Sequence, residues 1–330
     1  MELFAGAGGM ALGMEEAGWA HVALYERDPR CCATLRRNRP AWAVRECDLS
    51  AIDWTAEGLG PVDLLCGGPP CQPYSEGGHG KGAEDERDGW PWALDAVRAL
   101  RPTWVCFENV PAMHGTPELA HVLAVARTRF NWVDLWLLDA AEYGVPQVRQ
   151  RLFVVAGPRR AERPKRTHAP IFGSLIGIGR TVSVRKALAL PACATGIRRG
   201  HGFVPDRMAD LDVPSTTLTS QAFGCGTDLR LNDSPGFTPR EQAILDASPK
   251  DAYGRVVDRP PDGWKWPGRF GDDGMRRLTE AELTILSGFP HAWWFAGPPT
   301  VRAKMRGNAV PPPLARAVGM ALATAAVRPG

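Results

Sequence analysis

The chain has 330 residues, enough for two domains or for one large domain with an insertion. Its 44% hydrophobic and 23% charged residues are ordinary for a globular protein. No apolar run approaches the roughly 18 residues of a membrane span, and the N-terminus lacks a secretory signal pattern, so we expect a cytoplasmic protein without a membrane partner. The eight cysteines contain no C-x-x-C pair, so we expect reduced thiols and no metal site.

The net charge of +3 conceals a strong polarity along the chain. Residues 1–146 carry 12 Lys/Arg against 21 Asp/Glu, whereas residues 147–207 carry 13 against 2. An acidic half followed by a basic stretch indicates an enzyme body joined to a surface that faces a polyanion. A solvated basic face without any partner would produce the same pattern.

The first 155 residues alternate short apolar runs with segments of helical spacing. In chain order the pattern predicts a strand at 3–5, a helix at 10–18, a strand at 22–25, a helix at 29–39, a strand at 62–66, a helix at 92–100, a strand at 104–107, a helix at 119–129, and strands at 133–138 and 152–156. This rhythm predicts an α/β fold with a doubly wound, mostly parallel sheet. From about 158 to 275 the chain is rich in Gly, Pro, Thr and Arg, which indicates a loop-rich second domain. Helical spacing returns at 279–286 and 313–327.

A run of small residues, Ala5-Gly6-Ala7-Gly8-Gly9, follows the first predicted strand and opens a helix. Such residues let the backbone approach a ligand and leave helix N–H groups free to meet it. Glu26 ends the second strand, where a dinucleotide-type fold holds a carboxylate for ribose hydroxyls, and Asp48 could accept a hydrogen bond from an adenine amine. Both could equally be surface acids. The chain has no G-x-x-x-x-G-K-[ST] loop, which disfavours a nucleotide triphosphatase.

Cys71 lies in the sequence Gly-Gly-Pro-Pro-Cys-Gln-Pro, directly after a predicted strand. The carboxyl end of a strand in an open α/β sheet is where ligands bind, and the flanking prolines restrict the backbone around the thiol. A nucleophilic cysteine needs such placement. Glu108 ends the next strand, and Arg149 and Arg151 precede another. A thiol, an acid and an arginine can together handle a pyrimidine ring, although Glu108 and Arg151 could also form a structural ion pair.

In this order the sequences resemble the motifs of the cytosine-5 DNA methyltransferase family, of the bacterial restriction-modification type, over nearly the whole chain. Residues 4–9 resemble its cofactor loop, 69–72 its catalytic Pro-Pro-Cys-Gln, 108–110 its Glu-Asn-Val and 147–151 its arginine motif. Residues 277–290 resemble the motif after the target-recognition region, and 307–311 resemble the last motif. In one departure from the family, the sequence starts only a few residues before the cofactor loop, and Glu2 stands where the family usually has aspartate. The first strand is therefore expected to be short, or the natural start to lie upstream.

The resemblance implies a Rossmann-like domain that binds S-adenosyl-L-methionine and releases S-adenosyl-L-homocysteine. Cys71 would add to carbon 6 of a flipped cytosine, Glu108 would contact the pairing edge of the base, Arg151 would bind its carbonyl, and Arg149 would support the site. The positions expected to hold the cofactor are Phe4, Gly6, Ala7, Gly8, Gly9, Glu26, Asp48, Leu49, Pro70, Asn308 and Val310.

The resemblance also implies three segments: a catalytic domain at 1–178, a small target-recognition domain at 179–304, and a C-terminal segment at 305–330 that returns to the catalytic domain. The predicted partner is double-stranded DNA, bound by a monomer, with a cognate restriction endonuclease as a functional partner. Predicted DNA contacts are Ser75, Gln147, Arg198, Arg199, Thr217, Gln221 and Arg230, and further phosphate contacts are Arg159, Arg160, Arg163, Lys165 and Arg166.

Two related functions stay open on the sequence. A tRNA cytosine methyltransferase shares the Pro-Pro-Cys-Gln motif, but its Cys-Phe-Thr signature is absent here. A non-catalytic DNA-binding relative would not need Cys71, Glu108 and Arg151. Amino-methylating enzymes carry a different motif, Asp/Asn-Pro-Pro-Tyr/Phe, and need no thiol. No code links the sequence to the DNA site that is recognised.

Overall fold

The computed structural model describes residues 1–70, 89–169, 181–189, 214–215 and 278–327 with their side chains. It describes the backbone alone of residues 194–198, 208–209, 228–231 and 275–277.

A seven-stranded sheet in the order β3-β2-β1-β4-β5-β7-β6 forms the centre of the molecule. Its strands are β1 (Glu2–Leu3), β2 (Leu24–Glu26), β3 (Val44–Glu46), β4 (Leu64–Gly67), β5 (Trp104–Asn109), β6 (Trp132–Asp139) and β7 (Gln150–Gly157). Strands β1 to β5 are parallel, and β7 lies antiparallel between β5 and β6. The predicted Rossmann-like, mostly parallel sheet is therefore confirmed.

Helices cover both faces of this sheet. The helices of the described residues are α1 (Gly9–Glu16), α2 (Pro29–Asn38), α3 (Trp90–Leu100), α4 (Pro117–Arg129), α5 (Val184–Ala187), α6 (Glu280–Leu286), α7 (Pro299–Asn308) and α8 (Pro312–Val327). On one face, side chains of α3 and α4 pack on Leu65, Val105 and Phe107. On the other face, α1 and α8 pack on residues of β4, β5 and β7. Each face thus has its own apolar core.

A third apolar cluster joins the end of the chain to its beginning. Phe289, Trp293 and Phe295 pack with Ala5, Leu12 and Leu35. The stretch Pro299–Val327 is long and apolar enough to count as a membrane-span candidate, yet half of its most apolar window is buried inside the protein. Because α7 and α8 are separate helices and Leu314, Val318 and Leu322 are fully buried, core packing accounts for this apolar character.

The sequence pattern missed β3, α7 and the reversed direction of β7. Strand β3 has three residues, too few for an alternating pattern, and strand direction depends on pairing between distant segments. Strand β1 is short, as expected, with two residues. The direction of β7 also corrects one prediction: β7 ends beside the amino end of β5, so Arg159 and Arg160, which follow it, leave the sheet at the edge opposite the catalytic motifs.

The second half of the chain contains a small antiparallel sheet in the order β11-β10-β8-β9. Its strands are β8 (Ala194–Arg198), β9 (Met208–Ala209), β10 (Asp228–Leu231) and β11 (Met275–Arg277). A bridge between Gln147 and Ser215 ties this half to the main sheet. Its two hydrogen bonds run from Val148 N to the Ser215 carbonyl at 2.7 Å and from Ser215 N to the Pro146 carbonyl at 2.9 Å.

Candidate active site

The predicted site residues that the structure describes among the first 151 positions lie at one edge of the main sheet. The loop at 4–9 follows β1, Glu26 ends β2, Gly68-Pro69-Pro70 follows β4, and Glu108 lies near the end of β5. Because β7 is antiparallel, its first residues, and Arg149 just before it, lie at this same edge. The edge therefore brings the predicted cofactor side and the predicted base side together.

The loop between β1 and α1 is held in an unusual backbone conformation. Phe4 has φ of 54°, a left-handed value that is costly for an aromatic residue, and Gly6 and Gly8 have φ of 53° and 86°. A Cβ on Gly8 would lie 2.6 Å from the Leu35 side chain, and one on Gly9 would lie 2.1 Å from the Val310 carbonyl oxygen. At Gly6, by contrast, the nearest atom would be 3.9 Å away. The loop is thus closely packed at Gly8 and Gly9 and open at Gly6.

Glu26 organises this loop through its carboxylate. Its Oε2 accepts a hydrogen bond from Gly6 N at 2.7 Å, and its Oε1 accepts from Arg27 N and Asp28 N at 2.8 Å each. A carboxylate offers about four lone-pair sites, so these three bonds leave room for a ribose hydroxyl. The loop that is open at Gly6 and this carboxylate fit an adenosyl cofactor.

The other predicted cofactor residues are placed differently from one another. Asp48 is half-exposed, accepts from Ser50 N at 2.9 Å and pairs with Arg27 at 3.6 Å, while the side chain of Leu49 is buried in the core. Asn308 is exposed at the last residue of α7, and Val310 is buried. The contact of Val310 with Gly9 brings the last motif beside the cofactor loop, as the sequence predicts.

The segment before Cys71 is anchored from two sides. Asn109 Nδ2 donates a hydrogen bond to the Pro69 carbonyl at 3.3 Å, which ties the segment to the end of β5. Phe4 and Pro70 both lie against Gly89, where a Cβ would come within 2.4 Å of Pro70 Cδ and 3.0 Å of Phe4 Cζ. The anchoring role of Asn109 was not predicted. Its signal was its place within Glu-Asn-Val, next to the acid.

Glu108 and Arg151 form a buried ion pair at this edge, with 2.6 Å between Arg151 Nε and Glu108 Oε1. Burial raises the pKa of the Glu108 carboxyl, and the positive charges of Arg151 and Arg149 oppose that rise. A Cβ on Gly68 would lie 3.0 Å from Glu108 Oε2, so the carboxylate borders the segment that leads to Cys71. The arrangement places a carboxyl whose pKa burial raises, together with a cation, beside Gly68, which precedes Cys71 by three residues in the chain.

Arg149 is buried but does not contact the Glu108 carboxylate. Its Nη2 donates to the carbonyl oxygens of Gly307 at 2.5 Å and Ala309 at 3.1 Å. Burial, and then the charge of Arg151, lower the pKa of Arg149 to about 9, which leaves the guanidinium charged at neutral pH. The structure therefore directs Arg149 to the last motif, and its predicted part in the site is one of support.

Several predicted site residues lie outside the described residues or have undescribed side chains. Cys71, Ser75, Arg199, Thr217 and Gln221 fall outside, and only the backbone is described for Arg198 and Arg230. Gln147 was predicted to contact DNA, but its side chain is buried and Nε2 donates to the Leu286 carbonyl at 3.1 Å. Of the basic residues after β7, Arg163 donates to the Leu135 carbonyl and Arg166 pairs with Glu142 at 2.8 Å.

Comparison with known proteins agrees with this geometry. The family model described as C-5 cytosine-specific DNA methylase matches residues 1–173 and 231–324. The type II methyltransferase M.NgoMIV of Neisseria gonorrhoeae is 30% identical over 97% of this chain and 95% of its own length. M.NaeI of Lentzea aerocolonigenes is 33% identical over 97% of this chain and 73% of its own.

Solved structures show the same fold. A variant of Spodoptera frugiperda DNMT2 superposes with a TM-score of 0.66 at 17% identity, covering 98% of both chains. An Escherichia coli prophage-encoded putative DNA modification methyltransferase superposes with a TM-score of 0.59 at 19% identity, covering 98% of this chain and 97% of its own. The chain therefore belongs to the C-5 cytosine-specific DNA methylases, S-adenosylmethionine-dependent enzymes that methylate cytosine at carbon 5 in DNA.

Proposed function

We propose that Cys71 performs this methylation through a covalent adduct with a flipped cytosine. The observation that carries the proposal is the buried Glu108–Arg151 pair beside the Pro69-Pro70 segment, which precedes Cys71 directly in the chain. A base inside the duplex cannot be reached, so the cytosine must leave the stack at a cost of a few kcal/mol. The pair then faces the pairing edge of the extruded base.

The chemistry follows from the residue types. The Cys71 thiolate forms a bond to carbon 6, and the electron pair of the 5,6 double bond makes carbon 5 nucleophilic. Glu108, whose pKa is raised by burial, holds a proton against the ring nitrogen, and Arg151 binds the ring carbonyl oxygen. After methyl transfer a base removes the proton from carbon 5, the bond to Cys71 breaks, and the thiolate and the aromatic ring are restored.

The cofactor side is assigned to the loop at 4–9 and to Glu26. S-adenosylmethionine, when bound, supplies an electrophilic methyl group on a positively charged sulfur. Glu26 would bind its ribose with the lone pairs that the backbone bonds leave free, and Gly6 leaves space for close approach. Phe4, Pro70, Asp48, Asn308 and Val310 complete the proposed set.

The trapping of an adduct on DNA that carries 5-fluorocytosine tests the covalent step. Fluorine at carbon 5 blocks the final elimination, so the wild type with cofactor should give a complex that survives denaturing electrophoresis. Cys71→Ala should give no such complex and no methylation while still binding duplex DNA. Turnover by Cys71→Ala equal to the wild type would contradict the mechanism. Parallel assays on duplex DNA and tRNA separate this enzyme from the RNA-directed branch.

We also propose a division of labour within the second half of the chain, between about 180 and 275. Arg198 and Arg199 would bind phosphates, whereas the segment 216–230, which includes Thr217, Gln221 and Arg230, would read base edges. Reversing both arginine charges should weaken binding to all sequences alike and reduce its salt dependence. Substitutions in 216–230 should instead change the sites found by bisulfite sequencing. Arginine variants with altered site choice and intact affinity would contradict the assignment.

We propose further that the protein is a bacterial cytosolic enzyme that acts as a monomer, with a cognate restriction endonuclease as its functional partner. The relatives are type II methyltransferases, which supports the restriction-modification context. Sedimentation measurements with and without DNA test the monomer. The domain limits at 178 and 304 stay a prediction. In the third apolar cluster, residues between 289 and 305 pack against the first 42 residues of the chain, which belong to the predicted catalytic domain.

A further inference from the structure

Arg149 lies between the two halves of the site. Its backbone is held at the end of β6, because its N–H donates to Asp139 Oδ1 at 3.0 Å and its carbonyl accepts from Ala140 N at 3.0 Å. Arg151, two residues along the chain, forms the ion pair with Glu108. The position of the Arg149 Cα is therefore coupled to the base-binding pair.

The guanidinium of Arg149 points away from the Glu108–Arg151 pair and reaches the last motif, at 307–311. Its two hydrogen bonds go to Gly307 and Ala309, at the point where α7 ends. The last carbonyls of a helix lack partners within the helix and carry partial negative charge, so a buried cation there satisfies both needs. Burial makes these bonds stronger than they would be in water and makes their loss costly.

The turn that Arg149 holds touches the cofactor loop. The next residue, Val310, places its carbonyl oxygen where a Cβ on Gly9 would lie only 2.1 Å away. Gly9 is the first residue of α1 and the end of the loop whose Gly6 is bound by Glu26. A displacement of the 307–310 turn would thus be transmitted to the N-terminus of α1.

We propose that Arg149 is a positioning residue that sets the 307–310 turn against the cofactor loop and so couples cofactor affinity to β7, which carries Arg151. This inference rests on the proposed assignment of the cofactor side. It differs from a direct role in chemistry, because Arg149 contacts backbone carbonyls and acts through them. Its loss should affect the cofactor first, whereas loss of Arg151 should affect the base.

Binding measurements on Arg149→Gln and Arg149→Lys test the proposal. Titration calorimetry without DNA gives the affinity for S-adenosylmethionine. Fluorescence anisotropy without cofactor gives the affinity for an unmethylated duplex that carries the sequence which the enzyme methylates. Arg149→Gln removes the charge and the Nη2 donor of both carbonyl bonds, so we expect cofactor affinity at least tenfold lower and DNA affinity within threefold. Arg149→Lys keeps the charge but reaches only one carbonyl, so we expect an intermediate loss of about threefold. Arg98→Ala, which removes an exposed arginine that pairs with Asp95 on α3, is the control and should leave both affinities unchanged.

Cofactor affinity of Arg149→Gln equal to the wild type, or equal losses for cofactor and DNA, would overturn the proposal. If Arg149→Gln does not fold, Arg149→Lys decides, and unchanged cofactor affinity there overturns it. Glu26→Ala tests the proposed cofactor assignment separately. If Glu26→Ala binds S-adenosylmethionine as tightly as the wild type does, the cofactor assignment is wrong, whatever the Arg149 variants do.

Discussion

Replacing Gly9 by alanine tests whether the last motif supports the cofactor loop by direct packing. Helix propensity alone predicts a gain of up to about 1 kcal/mol, because alanine is the better helix former. The packing predicts the opposite, since the new Cβ would lie 2.1 Å from the Val310 carbonyl oxygen and 3.1 Å from Phe289 Cζ. Relief of the first contact needs a shift of about 1 Å in a close-packed region, where overpacking costs roughly 1–3 kcal/mol.

We therefore expect Gly9→Ala to lower the melting temperature by about 1–4 °C, because an unfolding entropy of about 2.1 cal/mol/K per residue over 330 residues corresponds to about 1.4 °C per kcal/mol. Cofactor affinity should fall as well, because α1 must move at the end that faces the loop. Gly60→Ala is the matched control: Gly60 is exposed, and a Cβ there meets no atom of the described chain within 4 Å. Thermal denaturation and calorimetry measure both effects. A Gly9→Ala protein as stable as the wild type, with the same cofactor affinity, would refute the reasoning.

Substitutions at Glu26, Glu108 and Glu2 give three further tests. Glu26→Gln replaces an acceptor oxygen of a partly buried carboxylate by a donor, so calorimetry should show cofactor binding about tenfold weaker, about 1.4 kcal/mol, within the usual range for a lost hydrogen bond. A larger loss of cofactor affinity in half-exposed Asp48→Ala would argue against that ranking. In the wild type the methylation rate should fall as pH rises and Glu108 loses its proton. Glu108→Gln should lower the rate at least about 10²-fold and should not show this fall. A pH profile of Glu108→Gln equal to that of the wild type would count against a proton on Glu108. Burial raises the pKa of Glu2 from 4.5 to about 8, so the folded state retains a proton that the unfolded state releases, and urea unfolding should show wild-type stability falling from about pH 4.5 to 8. Glu2→Gln should flatten that decline, and parallel curves for the two proteins would contradict it.

The local chemistry of the site could be predicted from sequence because each part of it is a short contiguous motif. The loop at 4–9 and Pro69-Pro70 follow strands, and Glu26 and Glu108 lie at the carboxyl ends of strands, and the apolar runs of these strands are visible in the sequence. In a parallel sheet such residues share one edge, so their convergence needed no knowledge of long-range contacts. Glu-Asn-Val likewise contained Asn109, but its hydrogen bond to Pro69 could not be derived from the pattern.

The direction of β7, by contrast, depends on pairing between segments far apart in the chain, which the pattern of one strand does not encode. That direction moved Arg159 and Arg160 to the opposite edge of the sheet and left Arg151 beside Glu108. Composition could show that 147–207 is basic, but it could not show that Arg149 is buried against Gly307 and Ala309. The sequence does not distinguish an arginine that faces DNA from one that binds the end of a helix. For Arg149 the packing of α7 against the start of the chain decided for the helix end, because burial is a property of the whole fold.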